Sequence, residues 1–300
     1  MGPVCQFLPG DRLHLQHGPI DLIIQAEGQA GVLLRAHQQA RRRFEDVLPV
    51  LVTELTRLRQ PVDPHSNNPM QGPVARLMWQ SCCPFADSQF VTPMAAVAGS
   101  VAQYMLVPYQ VDGIDRAWVN NGGDVAIHLA GAASLRLGLF SDLAGALSSV
   151  LAQRPSSLDG IATICAGAGI GGVATSGWAG RSHSMGIADS VTVFAADAGL
   201  ADAAATLLAN AVNVEDESIV RTPAYLLSDD TDLGDYLVTV NVPRLAPEKV
   251  MTALARGQTI AQRYVDSGVL HSVVLICQGQ VVSANRIPAN VGEKALCHQL

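Results

Sequence analysis

The chain has 300 residues, 49% of them hydrophobic and 15% charged, with a formal net charge of -7. That is long enough for a large core, and the acidic balance argues against a general nucleic-acid binder, which carries a basic face. Lysine occurs only at Lys249 and Lys294, so a lysine nucleophile has few places to sit, whereas the numerous arginines suit forked contacts to carboxylate or phosphate.

Ile20 to Gln25 reads as a strand, broken by Gly28 and Gly31. Helical periodicity runs from Val32 to Leu48, with Arg41, Arg42 and Arg43 on a solvated face, and resumes after Pro49 from Leu51 to Leu58. The Pro- and Asn-rich stretch from Pro61 to Pro73 is a loop, with His65 at its surface. A short helix follows over Pro73 to Cys82. Thr92 is placed to cap, and Pro93 to open, a slim helix whose Ala95, Ala96, Ala98 and Gly99 would let a backbone or a ligand approach closely.

Arg116 to Asn120 and Val125 to Leu129 read as strands joined by Asn121-Gly122-Gly123-Asp124, residues tolerant of a tight hairpin turn. Ser134 to Phe140 and Leu158 to Ile164 are further strands. Ala166 to Gly172 is glycine-rich and only superficially like a dinucleotide fingerprint, because loop chemistry rather than a helix is expected after it. Ser190 to Ala195 reads as a strand and Leu200 to Val212 as an alanine-rich helix. Glu215 to Asp235 reads as an exposed connection and Tyr236 to Val242 as a strand. Ala246 to Ser267 is an amphipathic helix stopped by Gly268. A hairpin across Gln278-Gly279 closes the fold, with a peripheral tail after Ile287. Without regular βα alternation the class is α+β, with mixed sheets and helices packed on one side. The whole span 1–300 is taken as one domain, with two similar halves left open.

Six cysteines, Cys5, Cys82, Cys83, Cys165, Cys277 and Cys297, form no CxxC pair and read as buried thiols. The first residues lack a basic segment followed by an apolar one, so a cytoplasmic location is expected. No run of about 18 apolar residues suggests a membrane span.

Three constellations can carry chemistry. The Asn121 to Asp124 turn could bring backbone N–H groups to an anion, with Asp124 on a hydroxyl; the alternative is a plain hairpin turn. Thr175-Ser176-Gly177, Arg181, Ser182, His183 and Ser184 suit phosphate, with Arg181 as a charged fork and His183 as an acid or base. Ser176 lacks the elbow of an acyl-transfer serine. Asp202 and Thr206 stand at i and i+4 on one helix, a pair that can serve magnesium. The alternative is that Asp202 caps its own helix and Thr206 bonds back to its backbone.

The order of these pieces resembles the ApbE family, magnesium-dependent transferases that move FMN from FAD onto a threonine of a target flavoprotein. The N-x-G-G-D turn Asn120 to Asp124, Thr175-Ser176-Gly177, His183, the V-T-V strand Val191 to Val193 and the A-D-A-x-x-T of Ala201 to Thr206 carry the likeness. The chain is still more similar to an uncharacterised ApbE-like family in the P-M-A-A-V-A-G of Pro93 to Gly99, the H-S-x-G-x-A-D of His183 to Asp189 and the G-P-I-D-L of Gly18 to Leu22. The resemblance implies Asp202 and Thr206 as magnesium ligands. It implies Asn121, Gly123 and Asp124 as lining a nucleotide pocket, and Thr175, Ser176, Gly177 and His183 as contacts to phosphate or ring; Gly122, Arg181 and Ser184 join the candidate binding residues from the chemistry of their own stretches. His183 and Asp124 are the candidate catalytic residues.

FAD or FMN is the implied cofactor and a flavoprotein the implied partner; self-association with a second copy is left open. The chain departs from the transferases in having Val97-Ala98-Gly99 where they have alanine-lysine-glycine, and Gln103 where they have an aspartate. Two functions remain open: a magnesium-dependent flavin transferase or phosphate-ester hydrolase, and a non-catalytic cofactor-binding or accessory protein for a metabolic enzyme.

Overall fold

The computed structural model describes residues 2–139, 160–180 and 182–286. It divides into two compact units: Met1–Leu135 with Ile164–Ala174 and Phe194–Ala204, and Arg136–Thr163 with Thr175–Val193 and Ala205–Leu300.

The first unit opens with β1 (Val4–Leu8), β2 (Arg12–His17) and β3 (Ile20–Gly28), an antiparallel meander. The first two strands escape the sequence reading because β2 shows only Leu13 and Leu15 as an apolar alternation. Both are fully buried, on the same side as Leu22 and Ile24 of β3. Helix α1 (Ala30–Glu45) buries Ala36, Ala40 and Phe44, four residues apart, as its core stripe. On its other faces Arg41 and Arg42 are exposed, while the Arg43 guanidinium lies 4.0 Å from the centre of the Tyr104 ring.

The short helices α2 (Val47–Thr53) and α3 (Leu55–Leu58) follow, then α4 (Pro73–Ala86), which begins on its proline and outruns its expected end. Pro93 opens a single 3-10 turn, Pro93–Ala96, and α5 (Val97–Leu106) starts only after it. Thr92 stands at the cap position of that turn without a side-chain capping bond. β4 (Ile114–Asn121) and β5 (Asp124–Leu129) pair antiparallel.

β6 (Ser134–Leu139) and β7 (Gly160–Cys165) form a two-stranded sheet. Then come β8 (Gly172–Ser176), β9 (Ser190–Ala195) and α6 (Ala198–Ala211), each crossed by the division between units. Within the first unit, neighbouring strands run β1-β2-β3-β4-β5-β8. The expectation of loop chemistry after the glycine-rich stretch is corrected by β8. A Cβ on Gly172 would sit 2.2 Å from the Ala198 nitrogen, and one on Gly171 2.3 Å from the Ala196 oxygen. These glycines let two backbones meet, which a loop reading does not anticipate.

The second unit contains β10 (Val220–Pro223), paired antiparallel with β11 (Leu237–Asn241). The expected open connection over 215–235 therefore holds a strand and a 3-10 turn, Ala224–Leu226. Helix α7 (Pro247–Asp266) and the hairpin β12 (Ser272–Cys277) and β13 (Gln280–Asn285) match the sequence reading, with Gln278 and Gly279 both at positive φ. Phe140 and the tail after Ile287 lie outside the described residues.

The class is α+β, and every pairing with a resolved register is antiparallel. No described helix is long and apolar enough to cross a membrane. Cys82 and Cys277 are buried and Cys5 and Cys83 half-buried, but Cys165 is exposed, against the expectation of buried thiols. Burial pushes the Cys83 thiol up to about 11 and, with the charge of Asp189, the Cys277 thiol up to about 12. Both are poor nucleophiles at neutral pH.

Candidate functional site

The Asn121 to Asp124 turn is a two-residue hairpin. Asn121 pairs with Asp124, and Gly122 (φ 67°) and Gly123 (φ 119°) occupy the left-handed region that glycine adopts without penalty. The Gly123 N–H donates to Asn120 Oδ1 at 2.9 Å. Asn121 is buried, and its Nδ2 donates to the Ala98 carbonyl at 3.0 Å. The hairpin is thereby fixed to the start of α5. A Cβ on Gly123 would meet nothing within 4 Å, so its side is open.

Helix α6 is capped by Asp197, whose Oδ1 accepts the Leu200 N–H at 2.8 Å. An aspartate directly before the first residue of a helix is a legible cap signal. Asp202 consequently does not cap its own helix. Its Oδ2 accepts the Gly99 N–H at 2.8 Å, and the Ala98 N–H also serves its carboxylate. The cap position of α5 is Ala96, which has no side-chain acceptor, so α5 takes its capping group from α6. The favour is returned: Gln103 Oε1 on α5 accepts the Gly199 N–H in the first turn of α6 at 3.3 Å. Gln103, noted only as a departure from the transferases, is thus a structural acceptor here.

Asp202 is held well above the usual carboxylate range, first by burial and then by the charge of Asp124; the Gly99 and Ala98 N–H groups oppose this. The residue keeps some exposed surface, but its carboxyl is closely surrounded. Ser100, one residue along α5, is fully buried and its Oγ has no hydrogen-bond partner. The first unit therefore gathers Asn121, Gly122, Gly123, Asp124 and Asp202 around the N-terminus of α5. Among the described residues no group of three or more His, Cys, Asp or Glu is placed to hold a metal.

This pair has a pH consequence. The native state keeps the Asp202 proton to higher pH than the unfolded chain does. Its contribution to stability is therefore most favourable below the ordinary carboxylate range and declines as pH rises through the raised value. Asp124→Asn removes the neighbouring charge and is expected to flatten that decline, read from urea midpoints between about pH 4 and pH 8. An equally steep decline in the variant would show that Asp124 is not its source.

In the second unit, Thr175 Oγ1 lies 2.9 Å from Thr192 Oγ1. Ser176 is half-buried at the end of β8. A Cβ on Gly177 would sit 2.1 Å from the Asp189 oxygen, so this glycine serves a close chain crossing. Ser184 is buried; its hydroxyl donates to Asn210 Oδ1 at 3.0 Å and accepts the Gly186 N–H at 3.2 Å. Asn210, not singled out from sequence, also accepts the Met185 N–H at 2.8 Å. Asp189 Oδ2 accepts the Gln278 N–H at 2.5 Å. His183 and Thr206 are half-buried, with Thr206 one turn beyond Asp202 along α6. Arg181 lies outside the described residues.

Residues 5–283 match the model of a family described as AbpE bacteria. A UPF0280 protein of Methanothermobacter thermautotrophicus is 36% identical over 168 residues, 52% of this chain and 60% of that protein. One from Methanopyrus kandleri is 35% identical over 157 residues, 52% of this chain and 56% of that protein. The chain thus spans less than two thirds of the length of these relatives. Among solved structures, the ApbE protein of Thermotoga maritima gives a TM-score of 0.47 at 12% identity, covering 94% of this chain and 96% of that one. The apo flavinyl transferase ApbE of Pseudomonas stutzeri gives 0.46 at 12% identity, covering 94% and 93%.

Proposed function

The chain belongs to the family described as AbpE bacteria, and from that premise we propose that it binds a phosphorylated small molecule, a flavin or another nucleotide, through a divalent cation held at Asp124 and Asp202. The observation that carries this is the carboxylate pair itself. An aspartate whose proton affinity is raised by burial and by the charge of its neighbour Asp124, beside a helix N-terminus, forms with that neighbour a site whose repulsion a cation relieves. The donor set fits a hard cation such as magnesium, which needs few protein oxygens and keeps waters and phosphate oxygens. When bound, the metal would supply positive charge to a phosphate oxygen.

The chain's own residues do the rest. Asn121 holds the hairpin to α5, Gly123 leaves open space in the turn before Asp124, and the Gly99 N–H fixes one Asp202 oxygen. Retention without turnover is the reading favoured by Ala98 and Gln103, which stand where the transferases carry a lysine and an aspartate. Magnesium-dependent flavin transfer or phosphate-ester hydrolysis is the second reading. The retained Asp124, Asp202 and Thr206 favour it.

Calorimetric titration of the protein with FAD and with FMN, with and without magnesium, tests the proposal. Micromolar binding that needs magnesium is the expected result, at about -8 kcal/mol. Absence of binding under both conditions would remove the flavin, and the same titration with magnesium alone would then decide the cation site.

A further inference from the structure

The second unit contains a cavity of about 410 Å³ that plays no part in the cation site. It lies where the link from β11 to α7 passes the turn of the β12–β13 hairpin. Arg244, Leu245, Pro247, Val250, Gln278 and Gln280 line it. That volume falls within the range of small-molecule sites.

One wall is held by an unusual residue. Gln278 and Gly279 turn the hairpin with φ 45° and 80°. Glycine takes this region freely and asparagine or aspartate is the usual companion before it, whereas glutamine is not. The strained position is kept because the Gln278 side chain ties down the facing link. Its Oε1 accepts the Leu245 N–H at 2.9 Å, and its Nε2 donates to the Pro243 carbonyl at 2.7 Å. Its own N–H donates to Asp189 Oδ2 at 2.5 Å. The residues on either side of Arg244 are thereby clamped to the hairpin, and the backbone that carries the arginine is fixed before any ligand arrives. Backbone strain retained by surrounding bonds is a mark of ligand clamps.

The floor of the cavity is apolar, with Leu245 and Val250 both buried. Arg244 and Gln280 are exposed at its rim. Among the described residues no hydrogen bond or ion pair engages the Arg244 guanidinium. In the same unit Arg221 and Arg256 are spent on Asn213, and Lys249 on Asp216. The cavity therefore offers a spare charged fork above an apolar surface.

A guanidinium fork matches either a carboxylate or a phosphate. Charge separates the two. A phosphate monoester carries nearly two negative charges at neutral pH, but Arg244 is the one cation lining the cavity, and Glu248 directly follows the lining Pro247. A second negative charge would stand unmatched beside that acid. A single carboxylate is neutralised by Arg244 alone, and a short aliphatic body covers Leu245 and Val250.

From the clamped wall, the spare guanidinium and the apolar floor we propose that this cavity binds a small aliphatic monocarboxylate through Arg244. The Gln280 amide adds a neutral donor at the rim.

The test titrates the full chain, without magnesium or nucleotide, with isovalerate, its neutral amide isovaleramide and inorganic phosphate, followed by two-dimensional amide NMR. Isovalerate is expected to bind with a dissociation constant of about 1 mM or below, moving the backbone signals of Leu245, Val250 and Gln280 and the side-chain amide signals of Gln278. Isovaleramide should bind at least about tenfold more weakly. Arg244→Gln should lose at least about tenfold of the isovalerate affinity, with its urea midpoint unchanged because this guanidinium holds no partner in the fold. Equal binding of acid and amide, undiminished binding by Arg244→Gln, or no movement of these signals at any concentration would each overturn the proposal. So would phosphate binding more tightly than isovalerate at the same signals.

Discussion

Replacing Gly99 by alanine is expected to lower stability by about 3 kcal/mol or more, at the upper end of what overpacking costs. An added Cβ would lie 2.1 Å from the Ala198 carbonyl oxygen, 2.6 Å from its carbon and 2.8 Å from the Asp202 Cβ. Two of those three atoms are backbone, so relief requires α5 and α6 to separate. α6 has little room to retreat, because Gly172 of β8 meets Ala198 at 2.2 Å by the same measure. Separation would also draw the Gly99 N–H away from Asp202.

The contrast is Gly31 in α1, where an added Cβ has only the Arg35 Nη1 at 3.8 Å. There the same substitution should be neutral or stabilising by up to about 1 kcal/mol, since alanine is the better helix former. Urea unfolding of the two variants beside the parent decides the matter. A Gly99→Ala midpoint equal to that of the parent would mean that α5 and α6 are not locked at this contact.

How much of this was legible in the sequence depends on how local each cause is. The Asn121 to Asp124 turn was legible because two adjacent glycines between alternating strands announce positive φ, and both glycines adopt it. Helix α6 was legible from its alanine run, and α7 from a proline start and a glycine stop. β10 was not, because its partner β11 lies beyond a long acidic stretch and the pairing, not its own composition, makes it a strand.

The slim face of α5 was legible as a place of close approach, but not what approaches. The structure gives α6 backbone at Gly99. The role of Asp202 was half legible. Its spacing to Thr206 marked it as a chemical residue, while its bond to Gly99 spans 103 positions and nothing local encodes it. Asp197 was the missed clue. Once it is recognised as the cap of α6, Asp202 is no longer needed there and its carboxylate is available to α5.

Two substitutions at Asp202 should separate its structural role from its proposed chemical one. Asp202→Ala leaves the Gly99 and Ala98 N–H groups without their acceptor and is expected to cost about 1–3 kcal/mol. Asp202→Asn keeps an acceptor oxygen and removes the charge that Asp124 opposes. At neutral pH it should therefore match or exceed the parent in stability when no divalent cation is present.

For ligand binding the two variants should behave alike. Each removes half of the carboxylate pair, and magnesium-dependent affinity for FAD or FMN should drop at least about tenfold, or about 1.4 kcal/mol, in both. Magnesium should raise the urea midpoint of the parent and of neither variant. If Asp202→Asn retained full magnesium-dependent binding, charge at this position would be irrelevant to the ligand. Asp202 would then be a helix-capping residue alone, with its raised proton affinity a by-product of the packing that joins α5 to α6.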